Sequence, residues 1–215
     1  MLVSHRHRFI YTKTAKTAST SVEVFFEPFC VDDPEWTPRH HREAEESPAG
    51  IVGYRGASPG DSPWYNHMSA LEIRDRLGSE TWNAYLKFCV VRNPFDLLVS
   101  WFWFEHRDEV PPTDPVGAFR EALAPRVPVP GRSAYRIDGE WCLDRYLRYE
   151  NLEADIEALG LDLGLDVDPE RLPRLKSGIR DNTLPVAAYY DRPLVRRVRE
   201  AYAPEIERFS YDFPG

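Results

Sequence analysis

The stretch from Phe9 to Pro28 contains no glycine. That absence removes the glycine-rich phosphate loop, GxxxxGK followed by Ser or Thr, from the place where a strand–loop–helix pattern would put it. Cysteine is scarce as well. Cys30, Cys89 and Cys142 are an odd, widely spaced set, which indicates neither a disulfide framework nor a zinc cluster. No apolar run approaches the roughly 18 residues needed to cross a bilayer. The opening MLVSHRHRF is charged and lacks the apolar core of a secretory signal, so a reducing cytoplasm is the expected location. Basic charge is also in deficit, with 27 Lys and Arg against 35 Asp and Glu, a net −8. An acidic chain is a poor binder of nucleic acid or of an anionic membrane surface. Any anion site must therefore be a local basic pocket.

At 215 residues, 42% hydrophobic and 29% charged, the chain has the composition of one globular domain, residues 1–215. It is organised around residues 9–22, FIYTKTAKTASTSV. Phe9, Ile10 and Tyr11 read as a β-prone run, and Val22, Val24, Phe25 and Phe26 as a buried helix face. The loop between them carries Lys16 and the hydroxyls of Thr17, Ser19, Thr20 and Ser21. Strand, polar loop and helix is the geometry that holds an anion against free N–H groups at a helix start. A solvated helix cap has the same composition, so a second stretch must decide.

Residues 31–66 read as a long irregular surface excursion, with His40 and His41 among acids. Ser69 to Glu72 is a capping-box pattern opening a short helix that ends at Gly78, which leaves His67 on the preceding turn. In LKFCVVRNP (86–94), a continuous apolar strand ends at Arg92, Asn93 is a good N-cap and Pro94 suits the first helical position. Arg92 and Ser100, on the helix that follows, are placed to grip one phosphate beyond the strand end. A salt-bridged strand-end arginine is the plain alternative. A proline-rich loop occupies 125–140, a strand 144–149, a helix Leu152 to Leu159 stopping at Gly160, and a last helix Pro193 to Tyr202.

Taken together, these residues resemble the sulfotransferases that use 3′-phosphoadenosine 5′-phosphosulfate (PAPS), in their carbohydrate-type and bacterial branch. Lys16 to Ser21 is similar to the family's 5′-phosphosulfate loop, including Ala18. VRNPFDLLVS, with Arg92 and Ser100, is similar to its 3′-phosphate motif; RYENL at 148–152 and the ending YAPEIERFSYDF are also similar. The resemblance implies an α/β, P-loop-NTPase-like three-layer fold with a central, mostly parallel sheet flanked by helices. It implies transfer of the sulfuryl group of PAPS to an acceptor hydroxyl, on a glycan, a small metabolite or a tyrosine, leaving PAP (3′-phosphoadenosine 5′-phosphate). It implies binding of the donor by Lys16, Thr17, Ala18, Ser19, Thr20, Ser21, Arg92, Ser100 and Arg180, or less directly Lys176. No metal is expected, because a sulfonate carries less charge than a γ-phosphoryl group. His67 is the expected general base, with His106, Glu105 and Glu23 as rivals. The family often has a basic residue at the position of Leu97 and a glycine at that of Ser19.

Two other classes remain open at this point. A P-loop-like kinase or hydrolase would require Mg²⁺-dependent ATP binding and a Walker B carboxylate after an apolar strand, and the chain has neither a Walker A nor a convincing Walker B. A non-catalytic nucleotide-binding scaffold would not need Lys16, Arg92, Ser100 and a base together. The loops at 31–66 and 125–140 are expected to shape the acceptor side, with Trp64, Tyr65 and Tyr135 as candidate stacking groups.

Overall fold

The computed structural model describes residues 1–56, 58, 60–175 and 184–214. It divides into two compact units, one of residues 1–91 and 131–175, the other of 92–130 and 176–215. The first unit is a mixed α/β structure. Its strands are β1 (Leu2–Ser4), β2 (Phe9–Tyr11), β3 (Glu45–Glu46), β4 (Gly50–Val52), β5 (Leu86–Val91) and β8 (Arg145–Arg148), with β6 (Arg136–Ile137) and β7 (Glu140–Trp141) as a separate hairpin. They form a six-stranded sheet in the order β3-β4-β1-β2-β5-β8. The half containing β2, β5 and β8 is parallel. The half containing β1, β4 and β3 is antiparallel.

Pleating puts Phe9 and Tyr11 on one face of β2, with Phe88 and Val90 of β5 and Leu147 of β8 on the same side. Helix α1 (Ser19–Phe26) covers that face with Val22 and Phe26, and α6 (Leu152–Leu163) with Leu152, Ile156 and Leu159. Phe26 meets Phe9 and Phe88 edge-on at 5.8 and 5.2 Å. The aromatic contacts fix α1, and hence the loop that leads into it, against β2 and β5.

The stretch 31–66 differs from the expected excursion. It contains β3 and β4 and buries Arg42, Arg55 and Trp64. Arg42 and Arg55 exchange backbone hydrogen bonds of 3.0 and 2.7 Å. Their guanidinium groups neutralise Glu27 and Glu23, which α1 and the turn after it bury. The two glutamates of β3 and the three residues Gly-Ile-Val of β4 are too short to show alternation, so periodicity has nothing to register there. The 125–140 stretch is likewise partly regular: Asp138 and Gly139, at φ 51° and 84°, make the two-residue turn of the β6–β7 hairpin.

Between these lie α2 (Ala70–Leu77) and α3 (Ser79–Ala84), with the Ser69–Glu72 capping box present as expected. Helix α6 runs past Gly160 to a left-handed Gly164. Gly160 stays helical because its missing side chain admits Val167, whose Cγ2 would lie 2.3 Å from a Cβ there.

The second unit contains α4 (Pro94–Glu105), α5 (Pro115–Leu123), α7 (Arg192–Ala201) and α8 (Ala203–Phe209). Phe95, Leu98, Phe102 and Trp103 of α4 share a core with Phe119, Tyr189, Tyr190 and Val198. Its buried polar tips are satisfied, Trp103 Nε1 on the Tyr189 hydroxyl and the Tyr190 hydroxyl on the Phe95 carbonyl. Among the described residues no helix is long and apolar enough to cross a membrane.

Candidate active site

In the first unit the site grows out of the end of β2. Thr12 extends the pairing, its N–H donating to the Phe88 carbonyl at 3.0 Å. Thr14 Oγ1 then donates to the Val90 carbonyl at 2.6 Å and lies 2.7 Å from Thr17 Oγ1. Thr14 has a single hydroxyl proton and gives it to Val90, so Thr17 must be the donor between the two hydroxyls. Thr17 is thus a strut that bends the loop onto β5. Lys16 and Ala18 both adopt left-handed backbone, φ 60° and 57°, on either side of Thr17. Such alternation turns successive N–H groups inward, the arrangement that makes an anion-binding nest.

Helix α1 begins immediately afterwards with Ala18 as its N-cap and no side chain capping its first turn. Alanine is among the poorest N-caps. The N–H groups of Ser19, Thr20 and Ser21 are therefore offered without a side-chain cap. Ser21 Oγ accepts the N–H of Leu175 at 3.1 Å and retains its own proton. Gly131, at φ 78°, lies so close that a Cβ there would be 2.8 Å from the Ala15 nitrogen.

Lys13 is the residue that sequence reasoning passed over. It is buried, with Nζ 2.6 Å from Glu23 Oε2 and 2.9 Å from Asn66 Oδ1. Glu23 also receives the Met1 amine at 2.6 Å and Arg55 at 3.2 Å. Burial alone would raise the Glu23 carboxyl, but Lys13, the Met1 amine and Arg55 outweigh it and hold it well below the usual carboxylate range. The signal was present in the sequence: a glutamate between Val22 and Val24 on an apolar helix face requires a buried cation.

His67 follows Asn66 on the turn before α2, at φ 58°. Its Nδ1 lies 3.2 Å from the Lys13 carbonyl. A carbonyl only accepts, so Nδ1 carries the proton and Nε2 has the lone pair. Packing around the ring, and then repulsion from Lys13 and the Met1 amine, press its pKa down to about 4 against the pull of the carbonyl and Glu23. The residue is nonetheless exposed to water, which limits how far its surroundings can depress it. The direction suffices: the imidazole is neutral at pH 7. Glu23, the nearby rival, is fully buried and ion-paired. Among the described residues six non-glycine residues have positive φ, and three of them, Lys16, Ala18 and His67, belong to this group. Backbone strain of that kind concentrates at functional sites.

In the second unit, Arg92 directly follows β5 and Asn93 caps α4, accepting the Phe95 N–H at 3.1 Å. Arg92 Nε and one terminal nitrogen both contact Asp96 Oδ2, at 2.7 and 2.6 Å, so the salt bridge of the plain alternative is present. Asp96 and Ser100, four residues apart, share one side of α4, and Arg92, just before the helix cap, reaches that side through Asp96. Leu97 is buried, a position where a basic residue would need a partner. His106 ends α4 with Nδ1 on the Phe102 carbonyl at 2.8 Å, and Glu105 is exposed. Arg180 and Lys176 lie outside the described residues.

Trp64 and Tyr135 are buried, Trp64 bonded to Glu46 and Tyr135 stacked on Trp141. Tyr65 donates to Glu72. His41 contacts the Tyr54 hydroxyl, and among the described residues no three His, Cys, Asp or Glu side chains converge as a metal site would require.

No curated protein and no solved structure matches the chain significantly. The family model of the sulfotransferase family matches residues 1–127 of the 215, a span that contains the Lys16 loop, His67, Arg92 and Ser100. A match over more than half of the chain shows the assignment: this protein belongs to the sulfotransferase family.

Proposed function

We propose that the protein transfers the sulfuryl group of PAPS to an acceptor hydroxyl, on a glycan, a small metabolite or a tyrosine, without a metal. The observation that carries this reading is the loop between β2 and α1. It offers inward-turned N–H groups, an uncapped helix start and a lysine in one place. These groups suit a 5′-phosphosulfate. The N–H groups of Thr17 to Ser21 hold its oxygens, and Lys16 stabilises charge on the bridging oxygen as the 5′-phosphate leaves. Thr20 and Ser21 retain hydroxyl protons for the same anion, whereas Thr17 has given its proton to Thr14.

Arg92 and Ser100 bind the 3′-phosphate, with Asp96 orienting the guanidinium. Arg180 is assigned to the nucleotide on the family resemblance alone. His67, neutral and with Nε2 unprotonated, takes the acceptor's proton as the hydroxyl oxygen attacks sulfur in line with the departing phosphate oxygen. One S–O bond forms, one breaks, and the products are the sulfate ester, PAP and a protonated His67. The architecture this implies is the three-layer, P-loop-like arrangement, and the stretches at 31–66 and 125–140 frame the acceptor.

The test is thermal stabilisation by PAP beside AMP, ADP and ATP, with and without Mg²⁺. A ligand at about 100 times its Kd adds about 2.7 kcal/mol. Stabilisation by PAP, absent with AMP and weakened in Arg92→Ala, is the expected result. Stabilisation by Mg-ATP alone overturns the proposal in favour of a kinase, and none by any nucleotide favours a scaffold.

A further inference from the structure

Lys13 has no part in donor binding as described above, yet it is gripped at both ends. Its ammonium sits between Glu23 Oε2 and Asn66 Oδ1, at 2.6 and 2.9 Å. Its carbonyl accepts from His67 Nδ1 at 3.2 Å. The same residue therefore contacts two consecutive members of the 66–67 turn, once through its side chain and once through its backbone. It also lies three positions before Lys16 in the donor loop. Its anchor is rigid, since Glu23 is fully buried and also holds Arg55 and the Met1 amine.

The turn needs such an anchor. His67 has left-handed backbone, a conformation that costs a residue with a Cβ about 1–2 kcal/mol. An imidazole also interconverts readily between its two neutral tautomers unless one nitrogen is committed.

We propose that Lys13 is a positioning residue that ties the 66–67 turn to the donor loop and holds His67 in the tautomer whose Nε2 is unprotonated. This deepens the reading of His67 as the base and rests on it. The lysine makes the distance between the base and the phosphosulfate loop a property of one short piece of backbone. The charged groups facing the imidazole are Lys13, the Met1 amine and Glu23, and only the first belongs to the tether.

The test needs no acceptor. Nitrogen-15 NMR of the full chain reads the His67 tautomer and its titration midpoint directly, in the wild type, in Lys13→Met and in Asn66→Ala. The wild type is expected to show protonated Nδ1 and unprotonated Nε2. Lys13→Met is expected to mix the tautomers and to raise the midpoint by about one pH unit, because a cation that opposed protonation is gone. Asn66→Ala removes no buried charge but loosens the Nδ1–carbonyl hydrogen bond, so it is expected to mix the tautomers and to lower the midpoint slightly, the opposite direction from Lys13→Met. A protonated Nε2 in the wild type overturns the inference, as does an unchanged tautomer in both folded variants. If Lys13→Met fails to fold, an unchanged tautomer in Asn66→Ala overturns it alone. PAP stabilisation, measured on the same samples, separates the two levels of the argument. Its presence in all three proteins isolates the tether, whereas its absence from the wild type removes the sulfuryl-transfer reading and the purpose of the tether together.

Discussion

Lys13 and Lys16 stand in one loop and have opposite duties, and only their surroundings tell them apart. Lys13 is consumed by Glu23 and Asn66, whereas Lys16 stands on the left-handed turn that leads into α1. Replacing Lys16 by Met should therefore cost turnover far more than it costs stability, since Lys16 stands at the mouth of the helix start and Lys13 holds the fully buried Glu23. His67 makes a sharper case, because its neutral form at pH 7 is the one a base needs. Removing it as His67→Ala should lower turnover roughly 10²-fold or more and leave PAP affinity nearly unchanged. Near-normal turnover of that variant, on any hydroxyl acceptor the wild type sulfates, removes His67 from the mechanism. At this scale the sequence was informative about residue types and poor about partners. Spacing and motif singled out Lys16, Arg92 and Ser100, and the family resemblance singled out His67. The Arg92–Asp96 pair and the burial of Lys13 depend on side chains meeting in space, which spacing leaves undetermined.

The elements that support the loop divide along the same line. α1, β5 and α4 carry apolar runs long enough to read, and β2, only three residues long, was readable because it leads directly into the polar loop and α1. β1, β3 and β4 are two or three residues long, too short to display a period. The end of α6 was misplaced because a glycine there marks close packing against Val167 in place of a stop. The Asp138–Gly139 turn was a readable signal hidden inside a proline-rich stretch. A further element was silent in the sequence: Gly131 approaches the donor loop from 116 residues away and packs on Ala15. Its φ of 78° and a Cβ 2.8 Å from the Ala15 nitrogen both oppose a side chain. Gly131→Ala should push the loop off its nest geometry and weaken PAP binding by an order of magnitude or so, while Gly139→Ala, with open space at that position, should leave binding unchanged. Equal PAP affinities in the two variants would detach Gly131 from the site.

For the molecule as a whole, the acidic composition says that the site is a local exception, and the buried ion cluster says how the exception is kept. Glu23 is held below the usual carboxylate range in the folded state. Its contribution is therefore complete above the unfolded carboxyl's pKa of about 4.3 and is lost as the pH falls below that value. His67 acts in the same direction through the other mechanism. Its folded pKa is lowered to about 4. Between about pH 6.5 and that value the unfolded histidine binds a proton that the folded one refuses, and the unfolded state gains. Stability measured by urea unfolding should then fall in two stages on acidification, the first opening at about pH 6.5 and the second at about pH 4.3, each with a slope of up to about one proton. His67→Gln should flatten the first stage and keep the second. Glu23→Gln leaves Lys13 and Arg55 without their shared carboxylate, so it should cost about 3–5 kcal/mol already at pH 7 and lose the second stage. A His67→Gln profile parallel to the wild type across the first stage would mean that the imidazole titrates alike in both states. The Lys13 ammonium would then exert no hold on it, and the chemical argument for His67 as a base kept neutral by its neighbours would fail with the thermodynamic one.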